Sequence, residues 1–228
     1  MEAGGLATSQ LSGKTWVMRL ARCVGLAFFV VGLDAAAALC GGPLQNNNFA
    51  RPLDYLDKKE AYNVSVVELY HFAPEVERLE KGMNEELPGD IDYVLMHIPN
   101  HYRALNAMAS WEIRQKKLKK EAPEGVQFLN AACYFERALF FRPNDPTIHL
   151  IKGIFLHKSE KFAEAKEAYK QALALKPEYA EAHYNLGLLH FELKDYDEAV
   201  EEAKTAYDLG YPLRGLKKKL RRVGRSIE

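Results

Sequence analysis

Residues 183–212 read HYNLGLLHFELKDYDEAVEEAKTAYDLGYP, with glycine and alanine at regular places among large apolar and charged residues. A shift of 34 residues brings this stretch into register with the one before it. The shift places Gly153 over Gly187, Phe162 over Tyr196, Ala165 over Ala199, Ala172 over Ala206, and Pro143 over Pro177. A 34-residue period with small residues at fixed points is typical of stacked helix-turn-helix units. The stretch therefore predicts an all-α solenoid.

The small residues of this register have a mechanical explanation. Glycine lets the two helices of a hairpin touch, and alanine leaves room for a large neighbour such as Tyr169. We therefore expect a role in repeat packing for Gly153, Ala165, Ala172, Gly187, Ala199 and Ala206.

Residues 183–212 resemble the tetratricopeptide repeat (TPR) family almost throughout, and residues 146–179 match it nearly as well. A divergent third unit begins at Tyr102 and carries ten extra residues in its turn, around Gln115–Gly125. The segment DIDYVLMHIPNHYRALNAM at 90–108, followed by CYFERAL at 133–139, also resembles small exported bacterial TPR proteins.

The N-terminal half matches this pattern more loosely. The spacing of Ile91, Val94, Leu95 and Ile98 predicts a helix that ends before Pro99, with Pro74–Lys81 as its partner. Residues 39–73 lie outside the resemblance, and we expect an irregular arm there, in which Val64, Val66 and Val67 could form a short strand.

The resemblance implies a right-handed superhelix of hairpins with a C-terminal capping helix and an irregular N-terminal arm. The expected order is an extension plus cleavable signal peptide at 1–38, the arm at 39–73, a repeat domain at 74–212 and a basic capping helix at 213–228. Within the repeat domain the units are about 74–101, 102–145, 146–179 and 180–212.

The signal peptide is predicted from MRLARCVGLAFFVVGLDAAAALCGG, which starts at Met18. Two arginines precede an apolar run from Val24 to Leu33, and small residues follow, which is the three-part pattern of a secretory signal. The run is about half as long as a membrane-spanning helix needs. We expect cleavage after Ala38 and a periplasmic or secreted protein, with a membrane-anchored form less favoured. The start of translation, Met1 or Met18, stays open.

Composition excludes several function classes. Lysine plus arginine number 31 and aspartate plus glutamate 31, so no net charge steers the molecule onto nucleic acid. The three cysteines have no CxxC or Cys/His spacing, and the chain holds no HExxH, GxSxG or glycine-rich nucleotide motif. His97 and His101 are four residues apart, but Pro99 between them breaks the helix that would put them on one face. We therefore expect no cofactor, no metal and no enzymatic activity, and a partner that is another protein or a peptide segment.

In TPR proteins the inner face of the superhelix is formed by set positions of the first helix of each unit. The resemblance carries these positions onto a polar and basic end, near Tyr102, and an apolar to aromatic end, near Phe191. Such a groove suits a peptide with both acidic and hydrophobic elements. The predicted groove residues are Arg103, Asn106, Arg114, Leu150, Ile154, His157, Lys158, Tyr184, Leu188 and Phe191. Some apolar members could instead pack against the C-terminal helix or the arm.

The family's clamp for peptide carboxylates is incomplete, because Asn106 and Ser110 stand where the clamp has lysine and asparagine. After Pro212, four apolar residues share one helical face and seven basic residues cover the rest. This pattern predicts a capping helix; the alternative is peripheral docking on an anionic membrane or partner.

Signal removal would leave Cys40 and Cys133, an even number of cysteines. A disulfide between them would tie the arm to the second helix of the 102–145 unit, and two unpaired thiols are the alternative.

Overall fold

The computed structural model describes Cys40, Leu44 and residues 51–84, 86–119 and 129–227. These residues form a 3₁₀ helix and a series of α-helices, and none of them is in a strand. The elements are the 3₁₀ helix Lys58–Glu60, α1 Ala61–His71, α2 Pro74–Glu77, α3 Leu87–His97, α4 Tyr102–Leu118, α5 Ala131–Phe141, α6 Pro146–Lys158, α7 Phe162–Leu175, α8 Ala180–Glu192, α9 Tyr196–Asp208 and α10 Gly215–Arg222. The predicted extension and signal peptide lie outside the described residues. Among the helices described here, none is long and apolar enough to cross a membrane.

The all-α fold predicted from the register is confirmed. Helices α6 and α7 pack as one hairpin, α8 and α9 as the next, and α7 packs against α8. Asp145 caps α6 by accepting a hydrogen bond from the Thr147 N–H at 2.9 Å, and Pro146 occupies the first turn, where no backbone donor is needed. After α6 and α8 the chain turns through Glu160 and Lys194, whose φ angles of 61° and 66° are left-handed.

The small residues of the register lie at the helix contacts. A Cβ added to Gly153 would sit 2.6 Å from two ring carbons of Tyr169, which is fully buried. At Gly187 the nearest atom would be Leu216 Cδ2 of α10, at 2.7 Å. No side-chain surface is exposed at the four alanines Ala165, Ala172, Ala199 and Ala206. Any larger side chain at these positions would displace a neighbouring helix.

The short strand considered at Val64–Val67 is wrong, because these residues lie inside α1. Their β-branched side chains favour strands in isolation, but Val64 and Val67 are buried in the main hydrophobic core. The predicted helix over Pro74–Lys81 is only the single turn α2, and Leu79 follows with a φ of 59°. Helix α3 packs against α1 as well as α2, so α1 supplies most of the first hairpin.

The rest of the arm is irregular but tightly held. The Leu53 N–H donates to the carbonyl of His97 at 2.9 Å. Asp54 accepts hydrogen bonds from the Leu56 N–H at 3.0 Å and the Asn100 amide at 2.8 Å, and it pairs with Arg142.

A disulfide joins Cys40 to Cys133 of α5, with Cα atoms 5.5 Å apart. Both cysteines are buried. Together with the Asp54 contacts, the bridge fixes the arm to the ends of α3 and α5.

Helix α4 is longer than the other helices and ends at Leu118, where Lys119 takes a left-handed conformation. The first residues of the expected insertion, from Gln115 to Leu118, therefore extend α4. Residues 120–128 lie outside the described residues. Helix α5 begins after Asn130, whose side chain accepts from the Cys133 N–H at 2.9 Å.

Helix α10 covers the end of the last hairpin. Leu216 and Leu220 are fully buried, and Ile227 beyond the helix is also buried. With Tyr184, Ala199, Ala203 and Ala206 they form a second hydrophobic cluster, distinct from the main core. The apolar face predicted for this helix is narrower in the structure, because Leu213 is 57% exposed and Val223 40% exposed.

Candidate functional site

The first helices of the last three hairpins, α4, α6 and α8, lie side by side, since α4 packs on α6 and α6 contacts α8. This is the face on which the sequence places a groove. Its residues fall into three groups with different surroundings.

An open cleft of about 560 Å³ lies between the C-terminal parts of α4 and α6. Arg114, Lys117 and Lys158 supply three positive charges, and none of the described residues lining the cleft is acidic. Nη1 of Arg114 donates to the carbonyl of Leu79 at 2.9 Å, which holds the guanidinium in place. Ser110, Ile113 and Leu118 complete the lining. The cleft thus combines cations with an apolar surface, and we call it the basic cleft.

Two of the predicted groove residues, Arg114 and Lys158, meet in the basic cleft. Lys117 and Leu118 were not predicted as groove residues, because the sequence pattern placed them in the insertion of the hairpin turn. The signal was present: Ser110, Arg114, Lys117 and Leu118 recur at intervals of four, three and one, the spacing of one helical face.

Arg103, at the N-terminal end of α4, is occupied by its own neighbours. It donates to Glu77 at 2.8 Å and to Glu68 at 3.3 Å, and its guanidinium lies 5.3 Å from the centre of the Phe72 ring. The hydrogen bond that Arg103 donates to Glu77 raises the pKa of Arg103, although burial opposes this shift. Arg103 therefore ties α4 to the first hairpin, while the predicted Asn106 is exposed.

The middle of the predicted groove is mostly structural. Leu150 is 2% exposed in the main core, and Ile154 packs against the same core. Nε2 of His157 lies 3.1 Å from Glu192 of α8, and its Nδ1 lies 3.4 Å from the hydroxyl of Tyr169. His157 thus links α6, α7 and α8.

The aromatic end of the predicted groove is covered, so the assignment of Tyr184 to an open groove is corrected in favour of the alternative, packing against the C-terminal helix. Tyr184 is 7% exposed, and its ring lies 4.4 Å from that of Tyr211. Leu188 and Phe191 pack against the C-terminal cluster, and the Lys219 ammonium lies 5.3 Å from the Phe191 ring centre. The last hairpin has no following repeat, so α10 and the residues before it cover the surface that another repeat would cover.

The charged side chains of this face are basic at α4 and α6 and acidic at α8. Beyond the basic cleft, burial raises the pKa of the Glu181 carboxyl, which is half-buried on α8. Burial, with the nearby charge of Glu181, raises the pKa of Tyr211 to about 12. The face therefore carries cations at α4 and α6 and a carboxyl group at α8.

The described part of the chain brings no three histidine, cysteine, aspartate or glutamate side chains together in a way that could hold a metal ion. The polar contacts found on this face join helices to one another.

Comparison with known proteins agrees with this geometry. Residues 156–210 match the tetratricopeptide repeat family model. The Hsp70-Hsp90 organising protein of Plasmodium falciparum is 38% identical over 63 residues, which is 28% of this chain and 11% of that protein. The human protein O-mannosyl-transferase TMTC3 is 30% identical over 120 residues, 53% of this chain and 12% of that protein. The aligned segments therefore span only about an eighth of these relatives or less.

Among solved structures, one described as the functional characterization of Pseudomonas aeruginosa pilF superposes with a TM-score of 0.51. The sequences are 17% identical, and the match covers 73% of this chain and 68% of that one. At this identity the likeness concerns the fold alone. The 34-residue register, the stacked hairpins and the family match together identify residues 156–210 as tetratricopeptide repeats.

Proposed function

We propose that this chain is a non-enzymatic scaffold whose basic cleft binds an acidic segment of a partner protein that also carries an apolar side chain. The observation that carries the proposal is the composition of the cleft, with three cations, no acidic lining residue among those described, and apolar Ile113 and Leu118. Carboxylates would pair with Arg114, Lys117 and Lys158, and an apolar side chain would cover Ile113 and Leu118.

The three cations contribute differently. Arg114 is held by the Leu79 carbonyl, and its other N–H groups, which have no partner among the described residues, could receive a carboxylate without further ordering of the side chain. Lys117 and Lys158 are exposed, so each ion pair would contribute about 1 kcal/mol or less. Affinity therefore depends on several pairs acting together with apolar burial, and it should fall as salt rises.

The relatives support a role in holding other proteins together. The name of the Plasmodium relative describes a protein that organises Hsp70 and Hsp90. The human relative is named as a transferase, but the match covers only 12% of it and gives no reason to transfer an activity.

We also propose that the protein works outside the cytoplasm, after cleavage behind Ala38. The signal pattern from Met18 to Ala38 is the main support. The disulfide between Cys40 and Cys133 adds to it, because such bridges persist in oxidising compartments.

A second candidate is electrostatic contact between α10 and an anionic membrane. Lys218, Arg221 and Arg222 are exposed on α10, while Leu216 and Leu220 are buried against the last hairpin. Such contact would rest on charge without insertion of an apolar face, so it would disappear in high salt.

The test for the basic cleft is fluorescence anisotropy with a labelled twelve-residue peptide that alternates glutamate and leucine in one half. A basic peptide in which lysine replaces each glutamate is the matched probe. Lys158→Glu should weaken binding of the acidic peptide about ten-fold, since it removes one attraction and adds one repulsion. The control is Lys170→Glu, an exposed lysine on α7 away from the cleft, which should change affinity less than two-fold.

Equal affinity for the acidic and basic peptides, or equal loss in Lys158→Glu and Lys170→Glu, would contradict the proposal. Vesicles of phosphatidylcholine with and without phosphatidylglycerol separate the second candidate. Binding to the anionic vesicles that Arg221→Glu and Arg222→Glu abolish, and that Lys158→Glu leaves intact, would favour α10 as a membrane contact.

A further inference from the structure

The outer face of α1 carries an exposed apolar stripe. Tyr62 is 78% exposed, Leu69 66% and Tyr70 59%, and the half-buried Val66 lies among them. Residues at intervals of four, three and one share one side of a helix. The opposite side of α1 holds Val64 and Val67, which are buried in the core. Helix α1 is therefore apolar on both sides, and within the described part of the chain only its inner side packs against other helices.

The stripe carries no charge. Glu68, the only carboxylate of α1, is turned toward α4, where it meets His101 and Arg103. His71 is turned toward α3, where its Nδ1 lies 2.9 Å from Asp90. The side chain of Asn84 donates to the Tyr70 carbonyl, which brings residues 83–84 to the C-terminal end of α1, and Met83 there is 44% exposed.

This face is one end of the helix stack. Helix α1 packs on α3, and the stack continues through α4 to α10. The two ends differ in chemistry. At the far end, α10 closes the stack with exposed Lys218, Arg221 and Arg222. Repeat arrays need polar end faces to remain soluble, and the α1 end has an apolar one.

We propose that a second copy of this chain covers the α1 face, with the two α1 helices packed antiparallel across a two-fold axis. An uncharged apolar face is complementary to itself, because pairing brings no like charges together. A head-to-tail stack would instead press the apolar stripe against the cationic α10. Antiparallel pairing also sets the positive N-terminal end of each α1 beside the negative C-terminal end of the other.

The size of the stripe predicts a weak dimer. With aromatic side chains of about 150–250 Å² each, the exposed parts of Tyr62, Leu69, Tyr70 and Met83 amount to roughly 400 Å² per copy. Two copies would bury about 800 Å², below the roughly 1,200 Å² of stable interfaces. A dissociation constant on the order of 10–100 µM is therefore expected.

Analytical ultracentrifugation of the full chain between about 1 and 200 µM, a range chosen to bracket that dissociation constant, tests the proposal. We expect a reversible monomer–dimer equilibrium. Leu69→Glu should weaken dimerisation at least ten-fold, because it places one carboxylate near another across the axis. Leu213→Glu changes a leucine that is 57% exposed beside α10 and should leave dimerisation unchanged. Both sites are exposed, so both variants should fold, and circular dichroism checks this.

Cysteine cross-linking tests the two-fold geometry. In a Cys23→Ser background, Val66→Cys lies at the centre of the stripe and should form a disulfide-linked dimer on oxidation, because residues near the axis meet their own copies. Ala174→Cys, exposed on α7, should not.

A chain that stays monomeric over this range, or a dimer that Leu69→Glu leaves intact, would overturn the proposal. So would a dimer that Leu213→Glu weakens equally. Binding of monomer to phosphatidylcholine vesicles that is lost in Leu69→Glu would assign the stripe to a lipid surface instead.

Discussion

Gly153→Ala should destabilise the chain although alanine is the better helix former. The added Cβ would lie 2.6 Å from both Cδ1 and Cε1 of Tyr169 and 3.2 Å from Cζ. Carbon atoms in contact are about 3.5–4.0 Å apart, so the ring or the helix must move by about 1 Å. Because Tyr169 is fully buried, its ring has no exit to solvent.

The net effect follows from two opposing contributions. Overpacking a core costs about 1–3 kcal/mol, and a clash with two atoms of a confined ring belongs near the upper end. Replacing a glycine inside a helix by alanine stabilises the helix by about 1 kcal/mol. The free energy of unfolding should therefore fall by about 1–2 kcal/mol, and the thermal midpoint by roughly 2–8 °C for a chain of this size.

A double-mutant cycle measured by urea unfolding separates these contributions. In a Tyr169→Leu background the ring is absent, so Gly153→Ala should be neutral or stabilising, with a coupling of about 2 kcal/mol. Gly187→Ala is the comparison variant, because its added Cβ meets the end of the Leu216 side chain in α10. An increase in stability from Gly153→Ala alone, or the same effect in both backgrounds, would refute the packing argument.

Two further predictions concern the arm. Burial raises the pKa of Asp54, but hydrogen bonds from the Leu56 N–H, Asn100 and Arg142 outweigh it, so the pKa lies below the ordinary value. A lowered carboxylate pKa stabilises the folded state above about pH 4 and ceases to do so as pH falls through the folded pKa. Asp54→Asn should thus cost about 2 kcal/mol at pH 7 and progressively less below pH 4 in urea titrations, and a pH-independent difference would contradict this origin. For the Cys40–Cys133 bridge, which spans 93 residues, reduction by dithiothreitol should remove about 4 kcal/mol and lower the thermal midpoint by roughly 10 °C. Two reactive thiols in denatured, unreduced protein starting at Leu39 would show that the bridge is absent.

The fold was predictable where contacts are local in sequence. The 34-residue register places Gly153 and Ala165 at contacts within one hairpin, and these contacts depend on spacing alone. Helix α1 was not predictable in the same way, because its valines favour a strand and the burial of Val64 and Val67 is decided by α3.

The same distinction applies to the candidate site: the residues whose position depends on helical spacing were predictable, and those covered by distant segments were not. Arg114 and Lys158 reach the basic cleft because helical periodicity sets the direction of both side chains. The prediction of an open groove at the aromatic end was wrong because Tyr211 covers Tyr184. The position of Tyr211 depends on how the chain returns after α9. No periodicity within α8 carries that information.

The long-range contacts of the arm also predict the order in which parts of the chain fold. Asp54 and Arg142 are 88 residues apart, and Cys40 and Cys133 are 93 apart, whereas the later hairpins close over neighbouring segments. Contacts between neighbouring segments form faster than those that close long loops. The arm is therefore synthesised before the repeats but makes its native contacts after them. In the proposed export, with the N-terminus crossing the membrane first, the bridge cannot close until residue 133 has crossed. Cys40 would therefore stay a free thiol, open to the wrong partner, while the next 93 residues cross.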